Sequence, residues 1–212
     1  TDLTVTGASA ANGDVRLVSQ AGNMSLNNIS AGGSILGDAQ GDITIADGAV
    51  IQNTSTTDAL IALRAGGSLS SGAGSSVTGS TTTDVYIASG VAGTNGTLSV
   101  NNVTGRDVRV STNGTGDVTV NGAVSASRNA LVATNGNTAV SGSVTAGQTL
   151  QVFSADLDLS GSLVGSQVDI VSTNGAFELG DNTTRSSSEA LSISNAEYAR
   201  ISADTLSLYA PD

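Results

Sequence analysis

The side chains able to do chemistry in this chain are mostly carboxylates. Two groupings stand out: Asp38, Asp42 and Asp47, and the pair Asp156 and Asp158. Paired carboxylates are the machinery of glycoside hydrolysis, one as acid and the other as base or nucleophile. Asp156 and Asp158 flank Leu157, so on a strand they would share one face and could form such a pair. The segment Gly37-Asp38-Ala39-Gln40-Gly41-Asp42 has the glycine–aspartate alternation of calcium-binding repeats, but it occurs once and without a tandem period. Neither grouping has a chemical partner. There are 0 His and 0 Cys, and all seven bases are arginines. Histidine triads, thiolate nucleophiles and zinc sites are therefore out. The carboxylates read as solvated outer-face charge, and no catalytic, cofactor-binding or metal-binding residue is assigned. Gly66-Gly67 is not followed by a phosphate-loop lysine. Tyr86, Tyr198 and Tyr209 are scattered and read as rings at the edge of the core.

The charge balance is 18 acidic against 7 basic residues, a net of -11, with the arginines dispersed. A nucleic-acid surface needs a basic patch, so no nucleic-acid partner is expected. Docking to anionic lipid is excluded on the same ground. No apolar run approaches the roughly 20 residues of a membrane span. Hydrophobic residues make up 38% of the chain and aromatics only 2%. That is too apolar for a charged disordered tail, yet too poor in rings for an ordinary globular core of this length.

What could position these side chains is a repeat. Thr94-Asn95-Gly96, Thr112-Asn113-Gly114, Thr134-Asn135-Gly136 and Thr173-Asn174-Gly175 write one turn four times, with Ala155-Asp156 and Ser194-Asn195 in the gaps. Successive Asn/Asp positions step by 18, 22, 21, 18 and 21 residues. After each turn comes an apolar-polar-apolar triplet, such as Leu98-Ser99-Val100, Val118-Thr119-Val120, Leu157-Asp158-Leu159 and Phe177-Glu178-Leu179. Period two marks a strand with one buried face. A third strand follows, carrying Ile29, Val103, Val124, Val144 and Leu163. A first strand precedes each turn, carrying pairs such as Val108/Val110, Leu150/Val152 and Leu191/Ile193.

Strands this short are not stable as isolated hairpins. Stacked into coils, each pairs in parallel with its counterpart in the next layer. The chain is therefore expected to be all-β: one right-handed single-stranded parallel β-helix over residues 1–212, about nine coils of roughly 18–29 residues. Coil stacking near 4.8 Å makes this a rod about 43 Å long. A side-chain ladder is expected at Asn95, Asn113, Asn135 and Asn174, interrupted by Asp156. The longest steps coincide with Ser/Thr/Gly-rich stretches at 53–58 and 70–84. A third such stretch is 181–189. All three are expected to loop out of the solenoid. Both ends alternate without a capping pattern, which predicts a stretch of a longer array.

Coils such as Asp107-Val108-Arg109-Val110-Ser111-Thr112-Asn113-Gly114, then Gly116-Asp117-Val118-Thr119-Val120-Asn121-Gly122-Ala123-Val124, resemble the repeat region of the filamentous haemagglutinin family. These are large exoproteins exported by two-partner secretion. The resemblance covers most of the chain and is clearest from Val85 to Leu179. It implies a secreted or outer-cell-surface location, passage through an outer-membrane transporter, and work in adhesion, aggregation, biofilm formation or contact-dependent interaction. It implies a host or bacterial surface glycan or protein as partner and a monomeric shaft without catalysis. The family's NPNL and NPNGI secretion motifs do not occur here, and no site residue carries over. Two other functions are open to a β-solenoid: a carbohydrate-binding or carbohydrate-active protein using the aspartates, and an ice-type lattice binder using the column Thr94, Thr112, Thr134 and Thr173.

Overall fold

A computed structural model describes residues 1–180 and 190–211. It contains one parallel sheet of 22 strands, wound into a parallel β-helix. Each coil contributes three strands, one to each of three faces. Face A holds the strands that precede the turn, as in Val85↔Val108↔Ala130↔Leu150↔Val168. Face B holds the triplets that follow it, Met24↔Ile43↔Leu69↔Leu98↔Val118. Face C holds the third strands, Val77↔Val103↔Val124↔Val144↔Leu163.

Like residues stack on like because only one register keeps every aliphatic inside; a slip of one residue would turn a whole column outward. The interior is built from Val, Ile, Leu and Ala, with Leu26, Ile43, Ile61, Val110, Val132 and Leu163 each fully buried. Each fully buried Val or Leu contributes roughly 1.5–3 kcal/mol.

The corners repeat too, but of the four Asn-Gly turns only those ending in Gly96 and Gly136 fall in the repeating column. Gly41, Gly67, Gly96, Gly116 and Gly136 form one column just before face B, each N–H or neighbour bonded to the coil below, as in Gly41→Gly22 (3.0 Å) and Gly67→Gly41 (3.0 Å). A Cβ on Gly96 would run into the Gly67 carbonyl, and one on Gly116 into the Gly96 carbonyl. The residue after each glycine supplies the ladder. Asp2 Oδ1 accepts the Asn23 N–H (2.9 Å), Asn23 Oδ1 that of Asp42 (2.9 Å), and Asp42 Oδ1 that of Ser68 (2.8 Å). Higher up, Asp117 Oδ1 accepts from Asn137 (2.8 Å). Weaker versions run along the other corners, as in Asn28 to Val50 (3.0 Å) and Asn102 to Ala123 (3.2 Å).

The expected ladder of Asn95, Asn113, Asn135 and Asn174 is thus corrected. Gly96, Gly116 and Gly136 stack, so Asn95 lies over Thr115, whose N–H it accepts at 3.3 Å, while Asn113 sits two residues early. Counted from face A, Thr112 and Thr134 are level, so the coil of Asn113 carries its two extra residues between that turn and face B. Exposed Asn side chains gain little from each other; an Asx oxygen aimed at a backbone N–H satisfies a donor that the corner would otherwise leave open.

Inside the same corner runs a column of buried hydroxyls. Ser89 Oγ donates to the Gly96 carbonyl (3.0 Å), Thr112 Oγ1 to the Gly116 carbonyl (3.0 Å), and Thr134 receives the Gly136 N–H (2.8 Å). Thr138 differs. It occupies an aliphatic position between Val118 and Leu157, is 1% exposed, and its Oγ1 has no hydrogen-bond partner among the described residues.

Two further expectations are corrected. Leu191–Ile193 is not a face A strand. It lies against Leu157–Leu159 on face B, with Leu191 and Ile193 buried. Phe177–Leu179, expected in that layer, pairs on its far side, Phe177↔Leu191 and Leu179↔Ile193, leaving Leu179 61% exposed. Two slim aliphatics fill the layer where Phe177 would bring a ring. Nor is Ser194-Asn195 a repeat turn: Ser194 begins a single-turn helix, Asn195–Tyr198, with a capping box to Glu197. The Glu197 carboxylate also accepts the Leu159 N–H (3.0 Å), pinning this layer to the one below.

The stretches at 53–58 and 70–84 are not protruding loops either. Residues 69–71 and 76–78 are strands of faces B and C, and the added residues are divided among the corners. Asn53 and Ser55 are buried, and Thr83 Oγ1 donates to Asn53 Oδ1 at 2.7 Å. The stretch 181–189 lies outside the described residues.

Gly116→Ala is expected to lower stability by about 1–3 kcal/mol, because a Cβ must displace the backbone below. Gly13→Ala, which meets nothing within 4 Å, should be within about 0.5 kcal/mol of the parent. Denaturant titration compares them. Thr138→Val removes an unpaired buried hydroxyl at nearly constant shape and should stabilise by about 1 kcal/mol; a loss of stability would show that the hydroxyl is satisfied in solution.

Candidate functional site: the outer surface of face A

The three outward surfaces differ in chemistry. Face B presents one column of small hydroxyls, Thr4↔Ser25↔Thr44↔Ser70↔Ser99↔Thr119, and face C a similar one through Thr78↔Thr104↔Ser125↔Thr145. Face A is mixed. Its central column reads Arg16↔Leu36↔Ala62↔Tyr86↔Arg109↔Leu131↔Gln151↔Asp169. Its second column includes Val18, Asp38, Arg64, Phe153 and Val171. Val18 and Leu60 are 42% and 37% exposed, although a polar residue would serve there if solubility were the only demand.

Two shallow grooves of about 410 Å³ each run along this face. One is lined by Arg16, Leu36, Leu60 and Arg64, the other by Asp107, Arg109, Leu131 and Gln151, and Tyr86 borders both. The Arg109 guanidinium sits 5.3 Å from the Tyr86 ring centroid, a cation–π contact that fixes the ridge between the grooves. Among the described residues, ion pairs form only at Arg106 and Arg128. Arg16, Arg64 and Arg109 therefore present unpaired positive charge on one face of an acidic protein.

The paired arginines line the corner between faces C and A. Arg106 makes a bidentate contact with Asp84, Nε to Oδ1 and Nη2 to Oδ2 both at 2.8 Å, and reaches Asp58. One coil on, Arg128 pairs with Asp107, whose Oδ1 also accepts the Asn129 N–H (3.1 Å). The hydrogen bond from Arg106 holds the Asp84 carboxyl below the usual aspartate range, and that from Arg128 does the same for Asp107. In return both guanidiniums are held more firmly protonated.

The sequence-level candidates do not converge on a site. Asp38 projects from face A, Asp42 holds the Ser68 N–H before face B, and Asp47 holds the Ala73 N–H (2.9 Å) after it. Asp158 is exposed on face B, but Asp156 turns into the corner and accepts the Ser192 N–H at 3.2 Å. The two do not act as a matched pair. Among the described residues no group of three or more acidic side chains is placed to share a metal ion. The threonine column is also corrected: Thr112 and Thr134 are buried and bonded inside the corner, so they cannot face a lattice. None of the tyrosines belongs to the core: Tyr86 points outward, and Tyr198 and Tyr209 are 58% and 60% exposed. The face A surface itself went unnoticed in the sequence. Its signal was the polar position of each first strand, occupied by Leu36, Tyr86 and Leu131 where face B has Ser or Thr.

Comparison with protein-family models, with curated proteins and with solved structures finds no match.

Because Asp84 and Asp107 hold depressed folded-state pKa values, their contribution is fully present above the unfolded aspartate value of about 3.9. It is lost as pH falls through the lower folded values. Unfolding midpoints measured from neutral pH into acid should therefore drop below pH about 4. The double variant Asp84→Asn/Asp107→Asn should be less stable at neutral pH and show a shallower acid slope. An unchanged slope would mean the two pairs contribute nothing in solution, as is common for solvent-screened pairs.

Proposed function

We propose that this chain is a structural and adhesive shaft segment of a large, secreted, fibrous bacterial surface protein of the filamentous haemagglutinin type. The observation that carries the reading is the division of labour in the coil. Corners and interior are committed to stacking one layer on the next, while one outward surface, face A, carries exposed aliphatics, Tyr86 and unpaired arginines. A repeat that extends by adding layers makes a stiff spacer, and a single sticky face supplies contacts along it. The acidic balance keeps such a rod soluble between contacts. The absence of Cys suits a chain exported unfolded through an outer-membrane transporter, since no disulfide can form early. Against a hydrolase stands Asp156, whose carboxylate is committed to the Ser192 backbone rather than to a substrate.

Antiserum raised against the folded chain should label intact cells of the source bacterium, and external protease should remove the signal. Labelling only after permeabilisation would overturn the surface assignment. Turnover of a polysaccharide that is lost in Asp158→Ala would overturn the non-catalytic one.

A further inference from the structure

We propose that face A docks a second copy of this chain, with the rods antiparallel and related by a two-fold axis lying along the strands between the coils of Tyr86 and Arg109. This deepens the contact-face reading above and rests on it. A two-fold in that direction keeps each outward column opposite its own copy and inverts the order of the coils. Arg16 lies three coils before Tyr86 and Asp169 three coils after Arg109, so Arg16 of each copy meets Asp169 of the other. The same operation sets Tyr86 opposite Arg109, Ala62 opposite Leu131, and Val18 opposite Val171.

The charges favour this partner. Among the described residues Arg16 has no ion pair, and Asp169 is met only by the amides of Gln167 (2.8 Å) and Gln151 (3.4 Å). Each lacks what the other copy brings. Asp84 and Asp107 face one another across the axis, but Arg106 and Arg128 already neutralise them. Asp38 and Arg64 stay as neighbouring opposite charges on adjacent coils of one copy. A parallel in-step alignment would set Arg16 opposite Arg16 and Asp169 opposite Asp169, whereas the reversed one brings the first-coil cation of the central column to its eighth-coil carboxylate. Eight coils of face A measure about 38 Å along the axis and a five-residue strand about 17 Å across. Their overlap buries on the order of 1,300 Å² in total, at the lower end of specific interfaces. Reversible association in the micromolar range is the expected strength.

Sedimentation velocity over a concentration series tests it. The parent should show a monomer–dimer equilibrium. Arg16→Asp and Asp169→Arg should each weaken it at least about tenfold, since each charge pair occurs twice by symmetry. The double variant Arg16→Asp/Asp169→Arg should recover it. Orientation is read by crosslinking, which the absence of native Cys makes unambiguous. Val18→Cys and Val171→Cys chains, mixed and oxidised, should give a disulfide-linked heterodimer, while neither alone should, since like positions would lie about 34 Å apart. A parent that stays monomeric, a double variant that stays weak, or a Val18→Cys homodimer would each overturn the proposal. Surface labelling is independent of these results, so a monomeric rod leaves the shaft reading standing.

Discussion

The structure depends on how closely one coil lies over the next. Strands in register sit about 4.8 Å apart, and at the corners, where the chain bends, that spacing leaves no volume for a side chain directed along the axis. Gly96 over Gly67 and Gly116 over Gly96 are the direct expression: any Cβ would overlap a carbonyl below. The bend also releases backbone N–H groups from the strand ladder, and each needs an acceptor. An Asp or Asn beside the glycine supplies one from the preceding coil, as Asn23 does for Asp42 and Asp117 for Asn137. Close approach and donor satisfaction thus select the same dipeptide, glycine followed by a short oxygen-bearing residue, at one corner of successive coils.

This explains what was legible in the sequence. The alternating triplets of face B up to Leu157–Leu159 and the strands around Val108, Leu150 and Val168 are read correctly because inward and outward positions differ in those coils, whereas Phe177–Leu179 is not. Nine layers, three faces and the parallel stacking follow from that pattern. The corner was misread because Thr-Asn-Gly is conspicuous while the glycine–Asx pair is disguised by substitution, as Gly67-Ser68, Gly96-Thr97 and Ala155-Asp156. Spacing alone could not show that Asn113, level with Asn135 when counted from face A, is two residues out when counted back from face B, since the corner absorbs extra residues without disturbing either flanking strand. The candidate site was harder to read. Outward positions are free of the core's selection, so Leu36, Tyr86 and Leu131 acquire meaning only when register places them in one column.

The three faces differ in the chemistry they turn outward. Faces B and C turn small hydroxyls to water and keep exposed strands polar. Face A concentrates apolar area, an aromatic ring under a guanidinium, and arginines that have no ion pair among the described residues. The corner beside it is stiffened by Arg106 and Arg128, whose pairs with Asp84 and Asp107 bridge adjacent coils. Of the charged side chains that line the grooves, Asp84 and Asp107 are held in this way, whereas Arg16 and Arg64 have no ion pair among the described residues.

The layer exchange near the C-terminal end alters how this rod can be assembled. Elsewhere a strand finds its final neighbour as soon as it is made, because that neighbour precedes it in the chain. Phe177–Leu179 is the exception: its partner, Leu191–Ile193, comes later in sequence and must slide beneath it, held by Glu197 on Leu159. A chain emerging N-terminus first can zip up through Ser172, but the layer above Leu157–Leu159 stays open until Leu191–Ile193 arrives. Among the described residues, winding that is otherwise one-directional thus contains one step at which a later strand slips in beneath an earlier one.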